Sequence, residues 1–344
     1  MGRTAAHKAP FPYFGGKAAI ADEVWARLGS VGRYVEPFAG SLAVLLCRPE
    51  PFVGREIVND LDGLLVNVWR AMKADPVAVA EWADWPPTES DMHARHAWLV
   101  GQRESLTSRL EGDPDWYDAK AAGWWLWGIG LWIGGGWCSG TGPWRVADGQ
   151  LLHAGDDGQG VHRQLLHAGD DGRGVHRKLL HAGDDGREAA TARASTGNAA
   201  RLASSFAVLA ERLQGVMVMA GDWARVVTPA VLHSGGNGVT GVFLDPPYAD
   251  TATRASDLYA KDSESIAHEV REWAIANGDD PRLRIALCGY VGEHAMPDSW
   301  SELAWKAAGG YEGQSKNGRT GNSKRERVWF SPHCHRPGLW EAAT

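Results

Sequence analysis

Cysteine is scarce in this chain: 344 residues carry four. They stand at Cys47, Cys138, Cys288 and Cys334, far apart and without a Cys-x-x-Cys pair. That spacing argues against a zinc site and a disulfide scaffold, and the four read as reduced thiols. An excess of positive charge is also missing, with 35 Lys and Arg against 42 Asp and Glu, a formal net charge of −7. Contact with a polyanion therefore has to come from local basic patches, because nothing global advertises it. Long apolar runs are absent too. The most hydrophobic stretch, 124–137, is rich in glycine and well short of the about 20 residues that span a bilayer. The first eight residues, Met-Gly-Arg-Thr-Ala-Ala-His-Lys, contain no apolar segment of the signal-peptide kind. The expectation is a soluble, cytoplasmic protein with no membrane partner, long enough for one large or two modest domains.

What is present centres on Val242-Phe243-Leu244-Asp245-Pro246-Pro247-Tyr248. The apolar residues that open it read as a buried strand, and the prolines stop it, because proline has no N–H for a ladder and fixes its own φ. A carboxylate, a carbonyl and a ring are left at the strand's C-terminal end, the edge where open α/β sheets bind ligands. The set suits a flat group bearing an amine. Asp245 and the Pro246 carbonyl can each accept one amine hydrogen, and Tyr248 can stack on the ring. A plain turn after a strand is the other reading of the same string.

Three features lie upstream. Phe11-Pro12-Tyr13-Phe14-Gly15-Gly16-Lys17 precedes a helical pattern over 18–28, so free N–H groups and an ammonium are offered to an anion, or else form a solvated turn. Arg33-Tyr34-Val35-Glu36-Pro37-Phe38-Ala39-Gly40-Ser41 then reads as strand, small-residue turn and the start of an apolar helix. Ile57-Val58-Asn59-Asp60 is a second strand with an acid at its tip, about 20 residues beyond the glycine turn, where nucleotide-binding folds hold ribose hydroxyls. Asp60 can equally cap the helix that follows over 61–72.

Together these strings resemble the Dam-like DNA adenine N6-methyltransferase family, through its Gly-Gly-Lys, Glu-Pro-Phe-x-Gly and Asp-Pro-Pro-Tyr motifs in that order. The resemblance covers roughly residues 8–75 and 205–332. It implies a Rossmann-like methyltransferase sheet of α/β class, with a mainly helical target-recognition region inserted. The implied cofactor is S-adenosylmethionine (AdoMet), bound through Tyr13, Gly16, Lys17, Glu36, Phe38, Gly40, Asp60, Asp222 and Asp245. Lys17 corresponds to the residue at the cofactor's carboxylate, and Asp222, in the turn after a strand over 216–219, to the position near its base; a turn-forming Asp is the alternative there. The family commonly has a second glycine where this chain has Leu42.

The implied organisation is 1–75 and 199–344 as the two parts of a catalytic domain, with 76–198 as the recognition region. Residues 75–149 read as helical and rich in tryptophan, with a helix ended by the glycines near 134. A 14-residue repeat follows at about 150–188, each copy suited to a small hairpin. It can be a DNA-facing insertion, a surface or oligomerisation decoration, or a metal site, although its acids complete no calcium loop. The segment 313–327 carries Lys316, Arg319, Lys324 and Arg325 beside strands at 285–288 and 327–330, and is the best candidate for phosphate contact with double-stranded DNA.

On this resemblance the catalytic set is Asp245, Pro246, Pro247 and Tyr248, acting on a flipped adenine, with no metal or covalent nucleophile required. No cysteine follows a proline, as a cytosine C5 enzyme would need. Cytosine N4, an RNA substrate, and a non-catalytic DNA-binding protein that kept the fold stay open as alternatives. So do the recognition sequence, a restriction partner and the oligomeric state. The repeats and the abundant tryptophan suggest a phage or high-GC bacterial source.

Overall fold

The computed structural model describes residues 7–11, 13, 17–51, 54–132, 137–138, 144–147, 150–153, 195–234, 238–247, 258–305 and 326–336. Its strands are β1 (Arg33–Glu36), β2 (Arg55–Asp60), β3 (Trp144–Ala147), β4 (Gln150–His153), β5 (Val216–Ala220), β6 (Thr240–Leu244), β7 (Leu283–Tyr290), β8 (Ser301–Ala304) and β9 (Glu326–Phe330). Its helices are α1 (Ala21–Leu28), α2 (Ala43–Leu46), α3 (Gly63–Ala74), α4 (Pro76–Ala83), α5 (Glu89–Gly112), α6 (Ala119–Ile129), α7 (Ser195–Leu213), α8 (Pro229–His233) and α9 (Leu258–Asn277). The chain divides into two compact units, one of residues 1–9, 13–61 and 215–344, the other of 10–12 and 62–214.

The first unit is a mixed α/β fold built on a seven-stranded sheet in the order β5-β2-β1-β6-β7-β9-β8. The five strands from β5 to β7 are all parallel, while β9 runs antiparallel to both β7 and β8. Parallel strands need cover on both faces, and the sequences show it. Every residue of β1 and of β6 is buried. On one face Val35, Ile57, Val242, Leu244, Ile285 and Leu287 form a core with Val270 and Ala274 of α9, as the two-residue period of neighbouring strands requires. On the other, the Trp25 ring of α1 lies 4.8 Å from Tyr34 of β1. The chain steps outward from β1 to β2 and β5, then returns to the far side of β1 as β6. The winding thus reverses between β1 and β6, and open α/β sheets bind ligands outside the C-terminal ends of the strands at such a point.

The strands run slightly longer than the sequence pattern suggests, and β8 carries no apolar pattern of its own, because its residues alternate between half-buried and exposed at a sheet edge. The helical pattern at 18–28 divides into a 3₁₀ turn, Lys17–Ala19, and α1. The basic segment stops before its assumed end: Glu326 and Arg327 belong to β9, and Arg327 Nε donates to Glu302 Oε1 of β8 at 2.8 Å.

The described residues of the second unit are mainly helical, with one antiparallel strand pair, β3–β4. Four of its helices start on side-chain caps: Asp62, Asp75, Thr88 and Asp118 each accept from a backbone N–H in the first turn of α3, α4, α5 and α6. Asn67 and Asp118 exchange two bonds of 2.8 Å, fastening α3 to the start of α6. Gly123 of α6 faces α4 so closely that a Cβ there would stand 2.3 Å from Trp82 Cβ. The tryptophans form core and cation–π contacts, with the Arg95 guanidinium among Trp85, Trp124 and Trp127 at 4.3–5.1 Å. α6 ends at Ile129, before the glycines expected to stop it. The first four residues of the repeat form β4 and pair with the preceding β3; the proposed hairpins at 154–188 lie outside the described residues. No helix among the described residues is long and apolar enough to cross a membrane.

Leu42 occupies the position of the missing glycine, with φ 56° and ψ 24°, in the left-handed region. The loop has thus kept a glycine's backbone and filled it with a fully buried side chain. A left-handed residue costs about 1–2 kcal/mol, whereas removing a buried leucine costs about 2–5 kcal/mol. Leu42→Gly is therefore expected to destabilise the protein by about 1–3 kcal/mol in urea unfolding, burial outweighing the strain; a stabilised variant would show that relief of strain outweighs the lost burial.

Candidate active site

The parallel strands bring several of the expected site residues to one edge of the sheet. Asp245 follows the last residue of β6, half-buried, with Pro246 buried and Pro247 exposed beyond it. Lys17 reaches it from the 3₁₀ turn at the N-terminal segment: Nζ lies 3.0 Å from Asp245 Oδ2 and 3.8 Å from Glu326 Oε2 of β9. The lysine and Glu326 side chains are almost fully enclosed, at 5% and 6% exposure. Burial disfavours the ammonium, but the carboxylates of Asp245 and Glu326 outweigh it and raise the Lys17 pKa above its ordinary value. The Trp305 ring, whose centroid is 5.7 Å from Nζ, adds a face of negative potential. Lys17, expected at the cofactor's carboxylate, thus rests on the acid of the Asp-Pro-Pro string.

Glu36, at the tip of β1, is buried and bonded. The Tyr34 hydroxyl donates to its Oε2 at 2.9 Å, and burial, reinforced by the nearby Asp245 and Asp60 charges, pushes its carboxyl well above the ordinary carboxylate range against the pull of the Tyr34 and Leu45 donors. It therefore braces the turn into α2. Gly40, with φ +47°, donates its N–H to Asp60 Oδ2 at 2.9 Å. Tyr13 covers that turn so closely that a Cβ on Gly40 would stand 2.9 Å from its ring. Asp60 is joined to the glycine turn in this way, while the helix cap goes to Asp62.

Phe38 stacks on Trp223 with centroids 6.2 Å apart and planes at 26°. Asp222 is exposed and caps the short turn at Trp223 by accepting from Ala224 N at 2.8 Å, so its turn-forming role is realised at a strand tip. Gly16, Tyr248, Lys316, Arg319, Lys324 and Arg325 lie outside the described residues.

Sequence reasoning passed over three groups at this edge. Asn59 is a buried amide in an otherwise apolar strand, which is itself a signal. Glu326 was hidden by its basic neighbours. His294, after β7, is 6% exposed, packs edge-on against Trp329 at 5.2 Å, and has among the described residues no hydrogen-bond partner of ordinary geometry for either ring nitrogen.

Fold and edge define a mixed α/β protein with an acid, Asp245, held by a buried lysine at the C-terminal tips of its parallel strands. Residues 13–92 match the family of D12 class N6 adenine-specific DNA methyltransferases. No curated protein matches the chain.

Burial drives the His294 pKa from 6.5 down to about 4; Arg271 and His268 add to the fall, against a smaller pull from the Cys288 backbone. The unfolded chain takes up this proton near 6.5 and the folded protein only near 4, so stability is lost as pH falls through that window. The gap corresponds to about 3 kcal/mol. Urea unfolding at about pH 7, 5.5 and 4 is expected to show a steeper loss for the unaltered protein than for His294→Phe; parallel curves would remove His294 from the acid response.

Proposed function

We propose that this protein is an AdoMet-dependent DNA methyltransferase that modifies the exocyclic N6 amine of adenine in a specific sequence of double-stranded DNA. The observation that carries the reading is the Asp245-Pro246-Pro247 string at the tip of β6, adjacent in the sheet to the Glu36-to-Gly40 turn of β1. Residues 13–92, which contain that turn, match an adenine-specific family. The strand order, five parallel strands followed by an antiparallel pair, is consistent with a Rossmann-like methyltransferase fold.

The residues at the edge fit AdoMet. Gly40 lets Tyr13 close over the turn, Asp60 stands at the tip of β2 with its carboxylate oriented by the Gly40 N–H, and Asp222 with the Phe38–Trp223 pair occupies the tips to either side. When bound, AdoMet supplies an electrophilic methyl on its sulfonium. The chain supplies position and polarity. An adenine amine is a weak nucleophile because its lone pair delocalises into the ring. Asp245 and the Pro246 carbonyl accept its two hydrogens, draw the nitrogen toward a tetrahedral shape and free the lone pair. Asp245 also serves as the acceptor for the proton the amine loses. Lys17 anchors the Asp245 carboxylate from below, so the acceptor is fixed before the base arrives, the form of positioning that lowers barriers most. Tyr248 stacks on the flipped base. The region 76–198 selects the sequence, and Lys316, Arg319, Lys324 and Arg325 contact phosphates.

The test is incubation with methyl-labelled AdoMet and unmethylated duplex DNA, digestion to nucleosides and their separation, with Asp245→Ala alongside. Label is expected in N6-methyladenine and at least about a hundredfold reduced in the variant. Label in N4-methylcytosine would retain the enzyme class and overturn the substrate. No label on varied DNAs, together with no AdoMet binding, would overturn the methyltransferase reading.

A further inference from the structure

Asn59 is the penultimate residue of β2 and 1% exposed. A buried amide between Val58 and the strand tip meets no requirement of the apolar core around it, so its bonds show its purpose. Its Nδ2 carries two hydrogens and uses both. One goes to the Pro37 carbonyl at 3.1 Å, after β1, and the other to the Gly221 carbonyl at 2.9 Å, after β5. Those two acceptors fix the orientation of the amide. They also turn Oδ1 into an enclosed position where it has no partner among the described residues. An unpaired buried acceptor disfavours folding, and the structure accepts it in order to keep both carbonyls.

The main chain repeats the pattern. Ala39 N donates to Asn59 O at 2.8 Å, Gly40 N to Asp60 Oδ2 at 2.9 Å and Gly221 N to Asp60 O at 3.0 Å. The Asn59-Asp60 pair thus holds the loop after β1 at three residues and the loop after β5 through both polar groups of Gly221. Gly221 has φ +120°, a conformation that L side chains rarely adopt. The clamped loops carry Phe38 on one side and Asp222 and Trp223 on the other.

We propose that Asn59 is a positioning residue that sets the spacing of the two loops flanking the β2 tip, and through it the affinity for the adenosine portion of the cofactor. The proposal rests on the AdoMet reading above. Asn59 touches no substrate in this account; it acts through the Pro37 and Gly221 carbonyls. An apolar residue of similar size removes the side-chain hold on both loops and leaves only the main-chain and Asp60 bonds, whereas a serine keeps a single side-chain donor, so the two replacements rank themselves.

The experiment compares the full-length protein with Asn59→Leu and Asn59→Ser, measuring thermal unfolding, calorimetric binding of AdoMet and of adenosine alone, and methyl transfer as separate KM and kcat values. For Asn59→Leu, affinity for both probes is expected to fall together by about tenfold or more, the scale seen when a group that orients a binding residue is removed. KM for AdoMet should rise by a similar factor, with kcat at saturating AdoMet within about threefold of the unaltered protein and Asn59→Ser between the two. Should Asn59→Leu fail to fold, an affinity loss in Asn59→Ser at an unchanged melting temperature supports the proposal. Unchanged binding in the variants, or affinity that falls only in step with melting temperature and kcat, overturns it. Absence of AdoMet binding by the unaltered protein is a different result: it overturns the methyltransferase reading, and this proposal with it.

Discussion

The edge of the sheet depends on one enclosed ion pair, Lys17 with Asp245, and on Glu326 as its third member. A buried ammonium with no carboxylate nearby would shed its proton, and buried acids with no cation would take one up. In this structure Lys17 lies within ion-pair distance of both carboxylates, and the contacts fix the three side chains to one another. Removing one partner of such a group costs about 3–5 kcal/mol, because a charge is left stranded. The network ties three distant pieces of sequence together: the segment before α1, the end of β6 and the start of β9. Polar residues at the tips of β1 and β2 then settle around it, with the Glu36 carboxyl pushed well above its ordinary range by burial and Asp60 engaged by Gly40.

Much of this edge was legible in the sequence because local chemistry decides it. Proline cannot continue a ladder, so Asp245 had to stand at the end of β6. Gly40 needed a positive φ, so a turn had to follow β1. The remaining features follow from packing that no local pattern records. β8 is four residues of mixed character that become a strand only because β9 offers a free edge. Glu326 looked like one acid in a basic loop until β9 placed it beside Lys17. The helix through 119–129 has the expected apolar character, yet its end is set at Gly130 rather than at the denser glycines beyond.

Leu42 and Asn59 show the same tension from opposite sides. Leu42 is an apolar side chain in a backbone state suited to glycine, kept by the burial it provides. Asn59 is a polar side chain in an apolar strand, kept by the carbonyls it holds. Each departs from its local preference, and each stands beside the loop after β1. Such departures gather where a structure serves something other than its own folding.

The division of the first unit between 13–61 and 215–344 bears on how the molecule is made. β1 and β2 pair with each other, but the other neighbour of β1 is β6 and that of β2 is β5, so each lacks its second partner until the ribosome has passed the inserted unit. During synthesis, residues 62–214 emerge whole while β1 and β2 wait with half their ladder unpaired. Contacts of such long sequence separation form slowly and leave apolar strands open to wrong partners. Early folding of the inserted helices works against that hazard, because it shortens the effective loop that β6 must close.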